Sequence, residues 1–303
     1  MTLLIGALTL GSILSLLAIG VFLSFRIFAI ADMTVDGAMT LGAAVTGVLL
    51  TSWGLDPLLA ILASFTAGLI AGSVTGLMQT TFRINPLLSG ILMMTALYSV
   101  NLRIMGKSNV PLVGTATLVS QCRTAGQWLF ARDTMTLWGW QIPTEDLSFM
   151  LAIWLIVAGV TLSLWAFLRT ELGTAMRASG DNPRMIEALG APIERYRVAG
   201  LALSNGIVAL AGALWAQYQN FVDAQMGIGM IVWGLASLII GEALLKAEGR
   251  MLMALIGAII GSLFFRELVA IALTLGLNPN DLKLVTAVFV FFTLAVSART
   301  RTS

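Results

Sequence analysis

Histidine is absent from this 303-residue chain, cysteine occurs once, and charged residues make up only 11% of the sequence. Without histidine, the chain lacks the usual imidazole metal ligand and the side chain that most often acts as a base near neutral pH. The single cysteine, Cys122, excludes an internal disulfide framework. The net charge of +2, carried by dispersed basic residues, argues against a nucleic-acid partner.

Hydrophobic residues make up 58% of the chain, whereas soluble domains carry roughly 25% charged residues, well above the fraction found here. This composition predicts a polytopic membrane protein. Crossing about 30 Å of hydrocarbon takes ~20 apolar residues per helix, and lipid offers no partner to unpaired backbone groups, so the spans should be α-helices. The predicted fold class is an all-α polytopic membrane protein with a single transmembrane domain, residues 1–303.

The apolar runs predict about nine transmembrane helices, within a range of about eight to ten. They cover approximately residues 3–25, 37–53, 57–82, 85–102, 147–168, 198–220, 230–246, 251–275 and 282–298. No charge precedes Arg26, so the first run lacks the basic leading region of a cleaved signal peptide and is interpreted as a retained helix. Residues 103–146 form a predicted extracytoplasmic loop region.

The basic residues predict how the chain is oriented in the membrane. Eleven of the 17 basic residues fall on one side if residues 169–197 lie in the cytoplasm. Positively charged residues near helix ends stay cytoplasmic, so this arrangement is the predicted one. It places the N-terminus outside and the C-terminus inside.

A weak internal repeat relates residues 36–77 to residues 223–263. Each copy has an acidic residue, a glycine-rich span, a short turn and a span with small residues at every fourth position. The corresponding glycines are Gly68, Gly72 and Gly76 in the first copy and Gly257 and Gly261 in the second. The two copies have opposite predicted orientations, and inverted repeats are typical of transporters. Chance similarity between helix pairs rich in small residues is the alternative.

Residues 169–197 form a polar island between two apolar runs, since they contain nine of the chain's 32 charged residues (17 basic and 15 acidic). Asp181 or Asn182 can cap a helix, Pro183 suits the first helical position, and Gly190 can adopt the left-handed closing conformation. The polar island therefore contains a predicted helix over residues 183–189, about 10 Å long.

This predicted helix has one apolar side. Met185, Ile186 and Leu189 fall together, whereas Arg184 and Glu187 lie elsewhere on the helix. On a cytoplasmic face, an apolar ridge with charged flanks is suited to insertion into the groove of a partner protein. The alternative is an ordinary cytoplasmic loop whose short helix lies on the lipid headgroups.

Two sets of short motifs carry a family resemblance. The first set is Leu172-Gly173, Ala175 to Ala178, Asp181-Asn182, Glu187 to Gly190, Arg197, Ser204 and Ala211-Gly212-Ala213. The second set is Asp36-Gly37, Leu41 to Ala44, Asn85 to Ile91, Tyr98, Asn101, Met105 to Asn109, Gly234 to Ser237 and Ile240-Gly241-Glu242. The first set resembles the coupling region of ABC importer permeases of the branched-chain amino acid, ribose and nucleoside type. The second resembles a narrower subgroup with tryptophan- and tyrosine-linked members. Glu242 stands where many of the commoner amino acid permeases have a second glycine, and this departure favours the narrower subgroup.

The resemblance implies a non-catalytic permease subunit in a bacterial cytoplasmic (inner) membrane, importing a small solute such as an aromatic or branched-chain amino acid. The implied partners are two cytoplasmic ABC ATPases, a second permease and an extracytoplasmic substrate-binding protein. The second permease is either another copy of this chain, in a homodimer, or a relative of it. ATP and Mg²⁺ would bind to the ATPase, and this chain would bind no cofactor or metal. The implied coupling residues are Asn182, Pro183, Arg184, Met185, Ile186, Glu187, Ala188, Leu189 and Gly190.

Polar residues at membrane depth are costly, so each needs a reason. Asp36, Asn85, Asn101 and Asn205 are therefore candidates for lining a substrate route. A competing explanation is that Asp36 and Asp32 cap the second span through its positive N-terminus, and Asn85 can likewise cap a helix. If the acids instead carry ions or protons, the chain is a gradient-driven secondary transporter. A membrane scaffold without transport activity is a third alternative.

Overall fold

The computed structural model describes residues 2–130, 134–137, 140–245 and 249–276, together with residues 281, 284, 287, 288 and 291. This part of the chain is mostly helical. Its helices are α1 (Thr2–Val21), a π-helical turn (Phe22–Ile27), α2 (Thr34–Ser52), α3 (Pro57–Thr80), α4 (Pro86–Met105), α5 (Leu118–Phe130), α6 (Thr144–Arg169), α7 (Glu171–Asp181), α8 (Pro183–Ala188), α9 (Ile193–Gln219), α10 (Met230–Leu244) and α11 (Met251–Thr274). Its strands are β1 (Asn109–Pro111), β2 (Thr134–Leu137), β3 (Trp140–Pro143) and β4 (Phe221–Asp223).

Seven of the described helical segments are long and apolar enough to cross a membrane, and the shorter α10 is also apolar. The seven are α1 with the π-helical turn, α2, α3, α4, α6, α9 and α11. The predicted all-α polytopic membrane fold is therefore confirmed. Eight of the predicted spans correspond to these segments and α10, whereas the ninth, residues 282–298, lies largely outside the described residues.

α3 and α4 begin in the same way, with a capping side chain followed by proline. Oδ1 of Asp56 and Oδ1 of Asn85 each accept a hydrogen bond from the backbone N–H two residues further on, both at 2.9 Å. Pro57 and Pro86 take the first helical position, where a missing N–H costs no intrahelical hydrogen bond. These local signals explain why both helices start where the sequence predicts.

Long helices from the beginning of the chain pack against long helices from its end. α3 packs along α9, α11 packs along α1, and α1 also contacts α9. If α1–α3 and α9–α11 are two copies of one unit, the first helix of each copy packs on the third helix of the other. This is the arrangement expected of an inverted repeat.

The regularly spaced glycines of α3 and those of α11 pack against helices that are not equivalent in the two proposed copies. In α3, Gly68, Gly72 and Gly76 stand against the backbone of α9, whereas in α11 Gly257 and Gly261 stand against the backbone of α10. Small residues let helices approach closely in a membrane. Both sets of glycines therefore serve close packing, against different partner helices, and the correspondence between individual glycines stays a prediction.

Two helices begin inside the bundle. Asp32, just before α2, accepts a hydrogen bond from Nδ2 of Asn205 at 2.7 Å, and Asn205 lies at the middle of α9. The other oxygen of Asp32 accepts the first backbone N–H of α2 at 2.9 Å. Asp36 accepts hydrogen bonds from the N–H groups of Gly229 and Ile231, at the start of α10, both at 2.8 Å. A carboxylate of the chain itself thus occupies each of these N-termini, where the helix dipole favours negative charge.

The remaining helix ends gather at two opposite faces. We call the end of the bundle that holds residues 169–197 the island face. On the opposite face, β1 pairs antiparallel with β4, and the N–H of Leu118 donates to Oε1 of Gln217 at 2.8 Å. There Nε2 of Gln121 donates to Oδ2 of Asp56 at 2.9 Å, which lowers the pKa of that exposed carboxyl group. The region predicted as a loop, residues 103–146, thus contains α5 and three of the strands.

Candidate coupling surface and membrane route

α8 is a short helix whose two ends are fixed by its own flanking residues. Oδ1 of Asn182 accepts a hydrogen bond from the N–H of Met185 at 3.1 Å, and Pro183 takes the first helical position. Gly190 follows with φ +78°, a left-handed conformation that costs other residues roughly 1–2 kcal/mol. α8 ends at Ala188, one residue before the predicted end at 189.

The apolar ridge of α8 is narrower than predicted. Ile186 is buried, with 7% of its surface exposed, whereas Met185 and Leu189 expose 53% and 73%. Arg184 and Glu187 are exposed beside them. Ile186 therefore anchors the helix to the protein, and Met185 and Leu189 form an exposed apolar pair between charged neighbours.

α7 connects α8 to the membrane-spanning helices, and the sequence prediction did not separate it from the rest of the polar island. Its buried residues recur at every third position: Gly173, Met176 and Ser179. This spacing, after a threonine that caps the helix, is the signal that could have revealed it. α7 packs on α6 and on the π-helical turn, where Gly180 stands directly against the carbonyl oxygen of Ile27 with no room for a Cβ atom.

An ion pair continues these contacts from the π-helical turn to α10. Nε of Arg26 lies 3.1 Å from Oε1 of Glu242, near the end of α10 on the island face. The other end of α10 is held by Asp36 of α2. α8, α7, the π-helical turn, α10 and α2 thus form a continuous series of packed elements. The sequence could not reveal the pair, because Arg26 and Glu242 are far apart along the chain.

The predicted route residues are placed at the joints between helices. Nδ2 of the fully buried Asn101 donates to the carbonyl oxygen of Gly37 in α2 at 3.2 Å. Asn205 binds Asp32, and Asp36 caps α10, so each of these three side chains joins two segments. In the described part of the chain, Oδ1 of Asn101 and of Asn205 is buried without a hydrogen-bond partner. Their role in transport stays a prediction.

Asn85 lies apart from these three residues. Its side chain is exposed and caps α4 at the end of the helix nearest the island face. The structure therefore brings Asp36, Asn101 and Asn205 into the interior of the bundle and leaves Asn85 at its surface.

Chemically reactive side chains are sparse in the part of the chain that the structure describes. No three Cys, Asp or Glu side chains there are grouped closely enough to hold a metal ion. Cys122 on α5 is half-buried, and burial raises the pKa of its thiol. The described residues instead form structural contacts between elements: packed helices, hydrogen bonds where helices meet, and the ion pair between Arg26 and Glu242.

Comparison with known proteins gives matches over nearly the whole chain. Residues 3–295 match the family model described as branched-chain amino acid transport system / permease component. A tyrosine transport system permease protein of Clostridioides difficile (strain R20291) is 38% identical over 292 residues, covering 96% of this chain and 90% of that protein. An uncharacterised protein of Rickettsia prowazekii (strain Madrid E) is 36% identical over 299 residues, covering 97% and 98%. A probable branched-chain amino acid transport permease protein of Methanocaldococcus jannaschii is 27% identical over 222 residues, covering 72% and 67%.

Proposed function

The chain belongs to the family of branched-chain amino acid transport system permease components, and from this premise we propose that it is the membrane subunit of an ATP-driven importer. The family resemblance drawn from the motifs is thereby confirmed. The observation that carries the proposal is α8, a capped helix on the island face that exposes Met185 and Leu189 while Ile186 anchors it. A helix of this kind is suited to a groove on another protein.

The proposed partner at α8 is a cytoplasmic ABC ATPase, with one ATPase for each of two permease copies. Met185 and Leu189 enter a groove of the ATPase, and Arg184 and Glu187 contact its rim. Asn182, Pro183 and Gly190 hold α8 in shape, and the small Ala188 lets the partner approach closely. ATP and Mg²⁺ bind to the ATPase, which performs the hydrolysis.

The packed elements described above give the ATPase a way to act on the membrane domain. When two ATPases close around ATP, they displace α8 and, with it, α7 and the π-helical turn. The Arg26–Glu242 pair passes the displacement to α10, and Asp36 passes it to α2. The bundle then alternates between outward-facing and inward-facing states through movement of packed rigid elements.

The orientation of the subunit follows from its charges. The island face holds the five arginines of residues 169–197, and positively charged residues near helix ends stay in the cytoplasm. The opposite face, with β1 and β4, is then the surface for an extracytoplasmic substrate-binding protein. The proposed location is the cytoplasmic membrane of a bacterium, with the C-terminus in the cytoplasm.

The proposed solute is an amino acid, either aromatic or branched-chain. The support is the family description and the 38% identity with a protein named for tyrosine transport. The proposed oligomer is a homodimer, because one chain offers one half of a two-fold pathway.

The hydrogen bonds of Asp36 help to distinguish an ATP-driven importer from a gradient-driven secondary transporter. Both of its oxygens accept backbone N–H groups of α10, a role that requires the carboxylate to stay in place through the cycle. A proton-carrying acid must instead change its protonation state and its partners. The geometry of Asp36 therefore favours a joint between α2 and α10.

Purification of the chain from the membranes of its own host tests the proposal. Mild detergent extraction through a tag on the permease should recover a complex with an ATPase in equal copy number. Its ATP hydrolysis should rise when the substrate-binding protein is added with its solute. A purified permease that hydrolyses ATP without any other polypeptide, or a complex without an ATPase, would overturn the assignment.

A further inference from the structure

An open groove lies where the end of α3 meets the beginning of α9. Its volume is about 330 Å³, and its walls include Leu77 and Thr81 at the end of α3 and Glu194, Arg195 and Ala199 of α9. Both helices are candidate membrane spans, and the ends that meet here, Thr80 and Ile193, are their ends on the island face. The groove therefore lies where the hydrocarbon of the bilayer gives way to the headgroup region.

An exposed apolar row on α3 leads from the middle of the helix to this groove. Ile70, Val74 and Leu77 expose 67%, 40% and 47% of their surfaces. Their spacing of four and three residues places them on one side of the helix, and Leu77 also lines the groove. Ala199 keeps the opposing wall open, because its side chain is short. A lipid acyl chain that lies along this row therefore brings its headgroup into the groove.

The groove carries one negative and one positive side chain. Glu194 and Arg195 are both exposed, and neither forms an ion pair within the part of the chain that the structure describes. As neighbours on a helix they do not face each other, so both charges are available to a ligand. The guanidinium group of Arg195 suits a phosphate, and the carboxylate of Glu194 accepts hydrogen bonds from a primary ammonium group. Thr81 is exposed beside them and adds a hydroxyl donor.

We propose that the groove binds the headgroup of a phospholipid that carries a phosphate and a primary ammonium group, as phosphatidylethanolamine does. The phosphate lies on Arg195 with Thr81 beside it, the ammonium group lies on Glu194, and one acyl chain follows the exposed row of α3. This row favours a lipid over a free zwitterion, because only the lipid has apolar surface to bury against it. The inference goes beyond the proposed function, since it requires neither the solute nor the ATPase.

The two charges also predict which headgroups bind less well. The quaternary ammonium group of phosphatidylcholine has no N–H to donate to Glu194. Phosphatidylglycerol offers a phosphate to Arg195 but no cation to Glu194, and its negative charge then lies near a carboxylate. Phosphatidylethanolamine should therefore be retained in preference to both.

Native mass spectrometry measures this preference on the protein purified in mild detergent with the subunits that accompany it. After extended detergent washing, the protein is incubated with an equimolar mixture of phosphatidylethanolamine, phosphatidylcholine and phosphatidylglycerol. The variants are Glu194→Gln and Arg195→Gln. The matched controls are Glu171→Gln on α7 and Arg103→Gln near the opposite face, both at exposed positions. Thermal unfolding verifies that each variant is folded.

Wild-type protein should retain phosphatidylethanolamine about fivefold or more over each of the other lipids, because each of them lacks a charge-assisted hydrogen bond to Glu194. Glu194→Gln should remove the preference over phosphatidylcholine and raise the share of phosphatidylglycerol. Arg195→Gln should lower the retention of all three lipids about fivefold, because all three carry the phosphate. Equal retention of the three lipids by the wild type, an unchanged order in Glu194→Gln, or the same losses in the two controls would overturn the proposal.

A photoactivatable lipid tests the path of the acyl chain. Phosphatidylethanolamine with a diazirine in one acyl chain should label peptides that contain residues 70–77, and the labelling should fall in the double variant Glu194→Gln, Arg195→Gln. Phosphoethanolamine, which has no acyl chain, should not displace the lipid when added at the same concentration. Displacement by phosphoethanolamine would show that the headgroup alone is recognised, and labelling that is unchanged in the double variant would place the lipid elsewhere. Either result would contradict a lipid site in this groove.

Discussion

Gly190 has the backbone conformation that most directly determines the shape of the proposed coupling surface. Its φ of +78° turns the chain at the end of α8, while Asn182 fixes the beginning. Ile186 then holds the helix to the protein from its buried side. The position of Met185 and Leu189 relative to the membrane therefore depends on three neighbouring residues.

Gly190→Ala should uncouple ATP hydrolysis from uptake. A Cβ atom in the left-handed region adds roughly 1–2 kcal/mol of strain, which favours unwinding or displacement of the end of α8. Solute transported per ATP hydrolysed should fall several-fold, with normal membrane insertion. The matched control is Gly159→Ala in α6, where the φ is ordinary and a Cβ atom meets open space. Wild-type coupling in Gly190→Ala would show that the end of α8 plays no part.

Asp36 is the residue that separates a structural joint from a proton carrier. Asp36→Ala leaves the N–H groups of Gly229 and Ile231 without their acceptor, which should cost about 1–3 kcal/mol. Asp36→Asn keeps one acceptor oxygen and should cost less. Thermal unfolding of the purified complex measures both, with Asp146→Asn, at an exposed position, as the control. Unchanged stability with equal loss of uptake in both Asp36 variants would instead indicate proton coupling.

At the scale of elements, α8 and α7 have different roles within the polar island. α8 presents the exposed pair, and α7 packs on the π-helical turn, where Gly180 meets the carbonyl oxygen of Ile27. The turn leads through Arg26 and Glu242 to α10. The series therefore links α8 to α10 through a direct contact at every step.

Two acidic substitutions on the exposed side of α8 should weaken the binding of the ATPase to the permease. In the double variant Met185→Asp, Leu189→Asp, the loss of two apolar contacts should weaken ATPase binding by about tenfold or more, a cost above ~1.4 kcal/mol. Permease stability should not change, because both side chains are more than half exposed. Val113→Asp, at an 83% exposed position on the opposite face, is the control. Equal ATPase recovery with both variants would place the partner elsewhere.

The sequence patterns predicted the long apolar helices and α8, but they missed α5, α7 and the short strands. α3 begins at its predicted first residue, 57, and α4 begins one residue after the predicted 85, because Asp56 and Asn85 cap the backbone N–H groups two residues away. α2 begins at Thr34 instead of residue 37, because Asp32 accepts the N–H of Thr34 and is itself held in place by Asn205 from across the bundle. The pairing of β1 with β4 joins distant segments and leaves no local signal. Local capping was readable from the sequence, whereas contacts across the bundle were not.

In the candidate site, too, local features could be predicted from the sequence and contacts between helices could not. The cap, proline and closing glycine of α8 predicted its extent to within one residue. The inward turn of Ile186 and the use of Asp36 as the cap of α10 depend on neighbours supplied by other helices. The partners of Asp36, Asn101 and Asn205 lie on other helices and could be found only in the folded chain.

At the scale of the whole molecule, α1 packs on α11 and α3 packs on α9. This is the arrangement expected if α1–α3 and α9–α11 are two inverted copies of one unit. Two helices, α2 and α10, begin inside the bundle and meet at Asp36. Bundles of this kind change state by movement of one half against the other. The series of contacts from α8 supplies the connection between that movement and an ATPase on the island face.

The most direct test of an ATP-driven permease is solute uptake into vesicles that contain the complete complex. Uptake should require ATP on the side of the island face, disappear in the α8 double variant, and continue when ionophores collapse proton and sodium gradients. Uptake that persists without ATP, or with the α8 double variant, and stops when the gradients collapse would contradict the account.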